Sequence, residues 1–389
     1  MDNFTEYQRA ADNRFRNIES ALRAGRTTAS DEQKGMLAIR YYRAIANGQG
    51  VSPAAIEFVQ RQKSWDTGHR GLILNQLKAA VSGLTTSGTG GASDVGADYM
   101  AALLPTTIIG GLRNLRRVPP LTRLLTQTVE GTAGWRKNGA AHAACAGTYT
   151  ADNIPTYSVG SLAVVSNEVL ADDSWQAEAE IHRDTLGASR TALDQAFIDP
   201  SNAGIEGSIP ASVTNGVSPI FVQGGAVSDL DTAIATAIAA IVAAGSNLTS
   251  ASWILSPVLA AGLSLARGAD GSLAYPQMSA TGGLLIGLPC LVSAACVQDS
   301  DGFNLTLLDG SCVTYAEGLP VLSTSRNALI EMSSTPSGST TEPVAATSYL
   351  ASMFQADCTA LLASLAVNWK LRRDCVQLIS GAPATLTAA

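Results

Sequence analysis

Apolar residues recur at every third or fourth position through the first 84 residues, and this spacing predicts a series of helices. Charged residues separate the apolar positions of the first stripe, as in a coiled coil, and those positions are Phe4, Tyr7, Ala11, Phe15, Ile18 and Leu22. Further helices are predicted over 31–46, from Ser52 onward and over about 69–82, because Ser52 is a suitable N-cap and the proline after it suits the first helical position. Such helices form either a small domain with its own core or an assembly region that pairs between subunits.

Residues 85–98 break this pattern with glycine, serine and threonine. A segment this small and polar buries too little surface to order itself, so we predict a flexible linker and place the main boundary of the chain here. A short helix is predicted next, over 103–117, before a Pro-Pro pair blocks its continuation. It ends in cations that suit the negative end of the helix dipole, namely Arg113, Arg116 and Arg117.

Two stretches of alternating apolar and polar residues, Leu124–Trp135 and Tyr157–Val165, predict a long two-stranded excursion over 121–167. Its Ala/Gly-rich tip is larger than a usual hairpin loop, and loops of that length usually serve a function. A long amphipathic helix then covers about 174–198, with Asp173 as its expected N-cap.

The remainder reads as an α/β unit. A buried helix is predicted from Ser228, its expected cap, to Gly245, which suits a left-handed residue just past the last turn. Trp253–Leu255 predicts a short strand, and Ser256 caps a helix that runs to Gly268. Further strands are predicted around 284–298, 303–308, 312–316 and 327–332, and 353–379 is either a pair of strands or a strand with a short helix. The fold class is α+β.

Charge is scarce and unevenly spread. Charged residues make up 15% of the chain against about 25% in average domains, which suits a surface covered by copies of itself but also fits an ordinary Ala/Gly-rich protein. The formal net charge of −7 divides into +4 for residues 1–84 and −11 for the rest. An acidic main body is repelled by phosphate backbones, so we expect no specific nucleic-acid binding by 85–389.

Six cysteines are scattered without a CxxC pair, and no basic start or apolar run follows Met1. We therefore predict no signal peptide and reduced, mostly buried thiols. Uninterrupted apolar runs stay below about 18 residues, which predicts no membrane span.

Few residues in the sequence suggest a catalytic, cofactor-binding or metal-binding site. The three histidines, His69, His142 and His182, fall in different predicted elements, and none has a cysteine or aspartate at motif spacing. Phosphate-loop, nucleophile-elbow and HExxH motifs are missing from the sequence. We therefore predict no catalytic, cofactor or metal site, and a protein that is not an enzyme.

The order of these elements resembles the major capsid proteins of tailed bacteriophages, whose fold is shared with encapsulins. Residues 162–199, from Leu-Ala-Val-Val-Ser to Phe-Ile-Asp, are similar to that family's entry into its spine helix. Trp253-Ile-Leu-Ser-Pro257 and Gly282-Gly-Leu-Leu-Ile-Gly-Leu-Pro289 resemble its axial domain. Ser352–Asp357 and Asn368–Val376 resemble its closing peripheral strands. The resemblance covers roughly residues 100–380.

The resemblance implies named parts, beginning with a helical, scaffolding-like N-terminal extension. The expected ranges are 1–84 for this extension, 85–105 for the linker and N-terminal arm, 106–120 for a peripheral-domain helix, 121–167 for the extended loop, 168–204 for the spine helix, 205–344 for the axial domain, and 345–389 for closing strands of the peripheral domain with the C-terminal tail.

The implied function is structural: many copies, as pentamers and hexamers, close an icosahedral shell around double-stranded DNA. Portal and decoration proteins are further partners that the resemblance allows, with assembly in the host cytoplasm and no membrane. Trp135, Arg136 and Lys137 in the extended loop are candidate contacts between subunits, although solvated loop charges explain them equally well. Two rival readings are an encapsulin-like compartment shell and, from another class, an α/β enzyme with a helical oligomerisation domain.

Overall fold

The computed structural model describes residues 35–48, 52–62, 64–81, 90–129, 135–138, 148–171, 175–222, 224, 226–268, 270–296, 303–333, 336 and 349–381. The predicted stripe from Phe4 to Leu22, the predicted cap Asp173, and His142 lie outside these residues.

Helices and strands are mixed along the described chain. The helices are α1 (Met36–Asn47), α2 (Ser52–Arg61), α3 (Thr67–Val81), α4 (Gly90–Leu103), α5 (Ile108–Gly111), α6 (Asn167–Ala171), α7 (Trp175–Ile198), α8 (Val227–Ala243) and α9 (Pro257–Leu265). The strands are β1 (Arg116–Val118), β2 (Arg123–Val129), β3 (Thr148–Asn153), β4 (Tyr157–Ser166), β5 (Ile220–Val222), β6 (Ala251–Leu255), β7 (Met278–Ser279), β8 (Gly282–Leu285), β9 (Leu288–Val292), β10 (Phe303–Asp309), β11 (Val313–Glu317), β12 (Val321–Ser325), β13 (Leu329–Glu331), β14 (Leu350–Ser352), β15 (Cys358–Leu371) and β16 (Val376–Gly381).

The strands form two large sheets and two ribbons. The first sheet has the order β1-β11-β15-β12, and β4 also pairs with β15. Its strands are antiparallel except β1, which runs parallel to β11. The second sheet has seven strands in the order β5-β16-β10-β6-β9-β8-β7. Two ribbons, β2–β3 and β13–β14, complete the pairing.

The two largest clusters of buried apolar residues are centred on the two sheets. The core of the second sheet joins α8 and α9 to the strands through buried residues such as Ile234, Leu263 and Leu307. The core of the first sheet gathers residues from distant parts of the chain, including Val59 of α2, Phe197 of α7 and others from β11, β15 and β16. The helix α1 packs beside α7 and against β12, and the Tyr42 hydroxyl donates to the Leu362 carbonyl at 2.8 Å.

This packing changes the interpretation of the N-terminal region. The sequence predicts residues 1–84 as a separate helical extension, yet α1 to α3 contribute Leu37, Ala44, Val59, Ile73 and Leu77 to the first core. Amphipathic spacing shows that a helix buries one face, and it does not show which surface covers that face. The described helices 36–81 are part of the first-sheet unit.

The predicted linker 85–98 is wrong over its second half, because α4 begins at Gly90. Tertiary burial overrides the weak helix propensity of this segment: Tyr99 and Leu103 are almost fully buried in the first core. The Tyr99 hydroxyl also forms a hydrogen bond of 2.9 Å with Ser189 Oγ on α7.

The predicted helix 103–117 is also corrected. A 3₁₀ turn at Leu104–Thr106 and the short α5 replace it, and Arg116 and Arg117 lie on β1 rather than at a helix end. The turn is tight at Gly110, where a Cβ atom would lie 1.8 Å from the Leu104 carbonyl oxygen. Only glycine permits that approach.

The predicted excursion 121–167 has a different return strand. The strand β2 pairs with β3, from Arg123 opposite Asn153 to Val129 opposite Thr148. The predicted return, Tyr157–Val165, is β4, and it pairs with β15 of the first sheet. Alternation of apolar and polar residues identifies a strand but not its neighbour, because every half-buried strand has the same period.

The predicted domain ranges and the sheets do not coincide at the C-terminal end. The range 205–344 includes β11 and β12, which lie in the first sheet, whereas β16, within 345–389, lies in the second. The stretch 353–379, predicted as two strands or as a strand with a short helix, consists largely of the strands β15 and β16, and these two strands belong to different sheets. Each pairing joins residues far apart in sequence, which a local pattern cannot specify.

Some helix ends were predicted correctly and others were not. The prediction of α7 over 174–198 and the caps at Ser256 and Gly245 are confirmed: Ser256 Oγ accepts from the Leu259 amide, and Gly245 is left-handed. The amides of Gly245 and Ser246 donate to the Val242 and Ile241 carbonyls, which is a Schellman ending. Ser228 does not cap α8, whose N-cap is Ala226, and α9 ends at Leu265 rather than Gly268.

The predicted strand at 284–298 is a hairpin of β8 and β9, and its turn residues Ile286 and Gly287 both have positive φ. The prediction of reduced thiols is wrong for one pair, because Cys312 and Cys375 form a disulfide. Cys290 and Cys296 are free and buried, as predicted. None of the described helices is long and apolar enough to cross a membrane.

Candidate assembly surface and buried polar clusters

The predicted contact residues Trp135, Arg136 and Lys137 lie together in the segment between β2 and β3, and all three are exposed. The indole of Trp135 is fully exposed, with a relative accessibility of 106%. Exposing an indole to water gives up a large hydrophobic gain, and aromatic and arginine side chains are enriched in protein interfaces. The segment therefore has the chemistry of a contact surface.

Two further groups of exposed apolar side chains were not found by reasoning from the sequence. One lies on α9 and the β8–β9 hairpin and consists of Val258, Leu265, Leu284 and Ile286. The other lies on and beside the β13–β14 ribbon and consists of Leu329, Met332, Tyr349, Leu350 and Phe354, with Phe354 exposed to 81%. Large apolar residues concentrated on short elements commonly mark interaction sites.

A buried ion cluster joins α1 to α7. The carboxylate of Glu178 accepts from Arg40 Nε at 3.2 Å, from Trp65 Nε1 at 3.1 Å, and from Arg43 Nη1. Both guanidinium groups also lie 5.7 Å from the centre of the Trp65 ring. Since every member has a partner within the cluster, its role is to hold the helices together rather than to bind a ligand.

His69 lies at the edge of this cluster. Its Nδ1 is 2.8 Å from Arg40 Nη1, and because arginine can only donate, the imidazole nitrogen accepts. Burial and the neighbouring Arg40 lower the pKa of His69, while the carboxylates of Asp98, Asp66 and Glu178 partly oppose them. A neutral ring suits this position. His182 lies on α7, as predicted for a helix-face residue.

Two buried aspartates connect neighbouring elements by hydrogen bonds. Asp194 accepts from the Ile108 amide at 2.8 Å and from Ser293 Oγ at 3.0 Å, and burial raises the pKa of its carboxyl. Burial also pushes the pKa of Asp309 upward, but hydrogen bonds from Ser246, Ser250 and Ser311 outweigh burial and hold that pKa below its ordinary value. These carboxylates accept hydrogen bonds from backbone amides and serine hydroxyls at the ends of elements.

A cavity of about 480 Å³ opens where the end of α1 meets the turn before β15. Titratable groups on its wall make hydrogen bonds within the protein: Asp357 Oδ1 accepts from Asn167 at 2.5 Å, Arg326 donates to Thr359 at 3.1 Å, and the Cys358 thiol donates to the Ala356 carbonyl at 3.3 Å. Across the described part of the chain, no three histidine, cysteine, aspartate or glutamate residues come close enough to hold a metal ion.

The phage capsid family matches residues 109–329, more than half of the chain. The chain belongs to the phage capsid family. Membership confirms the family that the resemblance implied, and the mixture of helices and strands confirms the α+β class.

One relative from this family is the capsid polyprotein of Pseudomonas phage PAJU2, which is 34% identical over 309 residues. The match covers 76% of this chain and 46% of the relative, so the chain spans about half the length of that protein.

Solved structures agree on the fold. A chain from Gordonia phage Cozz has a TM-score of 0.51 and 17% identity, covering 72% of this chain and 87% of its own length. A chain from Mycobacterium phage Bobi has a TM-score of 0.52 and 14% identity, covering 69% of this chain and 89% of its own length.

Proposed function

We propose that many copies of this chain associate as pentamers and hexamers into an icosahedral capsid shell around double-stranded DNA, and that Trp135 contacts a neighbouring copy. The observation that carries the contact is the fully exposed indole beside two cationic residues in a chain of the phage capsid family. A closed shell needs surfaces on every subunit that are complementary to surfaces of its neighbours, and a tryptophan that folding leaves in water is buried only on assembly.

The division into two sheets suggests roles for the units. We assign the peripheral role to the first sheet with α1, α4 and α7, and the axial role, near the centres of pentamers and hexamers, to the second sheet. The exposed apolar residues of α9 and the β8–β9 hairpin support an axial contact at that end. The extended-loop role belongs to β2, β3 and the segment between them.

The remaining parts of the proposal follow from charge. The formal charge of −11 over residues 85–389 disfavours sequence-specific adhesion to packaged DNA, so the shell encloses DNA without reading it. Catalysis is not part of the proposed role. The proposed location is the virion, after assembly in the host cytoplasm, and portal or decoration proteins are further proposed partners.

The experiment compares wild type, Trp135→Ala and Trp135→Phe by size-exclusion chromatography and negative-stain electron microscopy of the full chain. Wild type is expected to form closed shells or free rings of five and six subunits. Trp135→Ala should reduce the assembled fraction, and Trp135→Phe should restore much of it because the aromatic surface is retained. Under conditions in which none of the three proteins assembles, their thermal unfolding midpoints should be equal, since an exposed side chain contributes little to folding.

Two outcomes would count against the proposal. A small monodisperse wild-type dimer or tetramer, with no shells or rings at high concentration, would remove the shell function. Normal assembly of Trp135→Ala would remove Trp135 as a contact while leaving the shell function intact.

A further inference from the structure

The two sheets exchange strands through two short crossings. The chain leaves the second sheet at the end of β10, passes through the 3₁₀ turn Gly310–Cys312 and enters the first sheet as β11. It returns from β15 to β16 through residues 372–375. Between these crossings lie β11, β12 and β15, which are three of the five strands of the first sheet.

The two crossings lie against each other. The Arg372 amide donates to the Cys312 carbonyl at 2.9 Å, and the Asp309 amide donates to the Cys375 carbonyl at 3.2 Å. Asp309 extends this network, because its carboxylate accepts from Ser250 Oγ at 2.6 Å and from the Ser311 amide at 2.9 Å. We refer to these two hydrogen-bonded crossings as the neck. Apolar packing also joins the sheets, because Ile254, Leu308 and Val376 of the second sheet are part of the first core.

The disulfide between Cys312 and Cys375 lies in this neck and joins one crossing to the other. Both cysteines are buried, at 1% and 0% exposure. The bond closes a loop with a sequence separation of 63 residues, and that loop contains the three strands. It is the one disulfide found among the described residues. Burial raises the pKa of two described free cysteines, Cys290 to about 11 and Cys296 to about 12, so both are poor nucleophiles.

We propose that Cys312 and Cys375 form a redox-sensitive cross-link that holds the two crossings together when oxidised and leaves them to hydrogen bonds and apolar packing when reduced. Oxidation proceeds by exchange with a small-molecule disulfide such as oxidised glutathione. The two thiols lose two protons and two electrons as their Sγ–Sγ bond forms, and the sulfur–sulfur bond of the reagent breaks to give two thiols.

The position of the cross-link gives it this effect. A cross-link at the base of a long loop restricts the unfolded chain, and in the entropic account its effect grows with loop length. Because this loop carries strands of the first sheet while its two ends lie next to β10 and β16 of the second, the bond also resists separation of the sheets. The inference does not depend on the proposed shell function, since its test reads the full chain whether or not the chain assembles.

The first measurement tests whether the bond forms. The full chain, purified without reductant, is denatured in a thiol-alkylating reagent and mapped by peptide mass spectrometry, before and after treatment with a phosphine reductant. Cys312 and Cys375 should stay unmodified before reduction and become modified after it. Modification of both cysteines without reductant, even after incubation with oxidised glutathione, would overturn the proposal.

The second measurement tests whether the bond acts at the neck. Reduction of wild type should raise the unfolding equilibrium constant on the order of 100-fold, and oxidised glutathione should reverse the change. Amide hydrogen exchange should quicken at 309–312 and 372–376 but not in the β2–β3 ribbon. The control Cys358→Ala, which removes a partly exposed free thiol, should keep the full response to reductant.

A doubly substituted chain, Cys312→Ala with Cys375→Ala, should lose that response. Where this variant does not fold, reversible reduction of wild type supplies the same comparison. An oxidised chain whose stability and exchange at the neck are unchanged by reduction would overturn the role of the bond in holding the two crossings together.

Discussion

The two sheets of this protein are stabilised in different ways. The second sheet is built almost wholly from 220–309, closed by β16, and its core is a continuous apolar cluster. The first sheet collects strands and helices from 36 to 371, and its core is bordered by the buried cluster of Arg40, Arg43 and Glu178.

The comparison shows what a buried charge cluster can contribute. Apolar packing is non-directional, so it suits a unit whose parts are already neighbours in sequence. A buried ion cluster adds little net stability, but it heavily penalises any arrangement that leaves one of its charges unpaired. We infer that the cluster fixes where α1 lies on α7, whereas the core of the second sheet is held together by apolar packing.

The largest expected effect tests that inference directly. Glu178→Ala leaves two buried guanidinium groups without their carboxylate, and we expect the free energy of unfolding to fall by about 3–5 kcal/mol. Urea denaturation measures the loss, and hydrogen exchange should locate it in α1 and α7. The matched control is Glu180→Ala on the same helix, whose exposed pair with Arg183 should contribute almost nothing. Equal effects of the two substitutions would contradict the proposed role of the cluster.

The second-largest expected effect concerns the apolar core of the second sheet. Leu263→Ala removes a fully buried side chain from α9, and we expect a loss of about 2–4 kcal/mol, from lost burial and the cavity that remains. Exchange should quicken in β6 and β10 while α1 keeps its protection. Leu265→Ala, two residues further along and 74% exposed, is the control and should leave stability nearly unchanged. Loss of protection spread evenly over both sheets would show that they unfold as one unit.

The smallest effect concerns pH. Because the pKa of His69 is lowered on folding, the unfolded chain binds a proton more readily, and stability should decrease as the pH falls from about 7 to about 5. His69→Gln should reduce this slope by less than about 1 kcal/mol over that range, since glutamine can still accept from Arg40 and does not titrate. The readout is the unfolding midpoint at several pH values. An unchanged slope would show that His69 does not sense pH in this cluster.

Local signals in the sequence identified many elements but few of their partners. The apolar stripe of α7 and the serine cap of α9 were predicted correctly because each depends on residues within a turn or two. The pairing of β4 with β15 joins residues about 200 apart in sequence, and the alternation of apolar and polar residues in β4 would fit pairing with β2 equally well. The exposed side chain of Trp135 followed from its place in a long loop, whereas the exposed residues beside the β13–β14 ribbon carried no local signal.

The sequence by itself therefore determined the family, the α+β class, the low surface charge and most helix positions, because these depend on composition, on motif order and on periods of a few residues. Only the tertiary structure decided that α1 to α3 belong to the first core, that Gly90–Leu103 is helical, that β11 and β16 exchange sheets, and that Cys312 meets Cys375. Each of these depends on which distant surface excludes water from a given face, and that is a property of the whole folded chain.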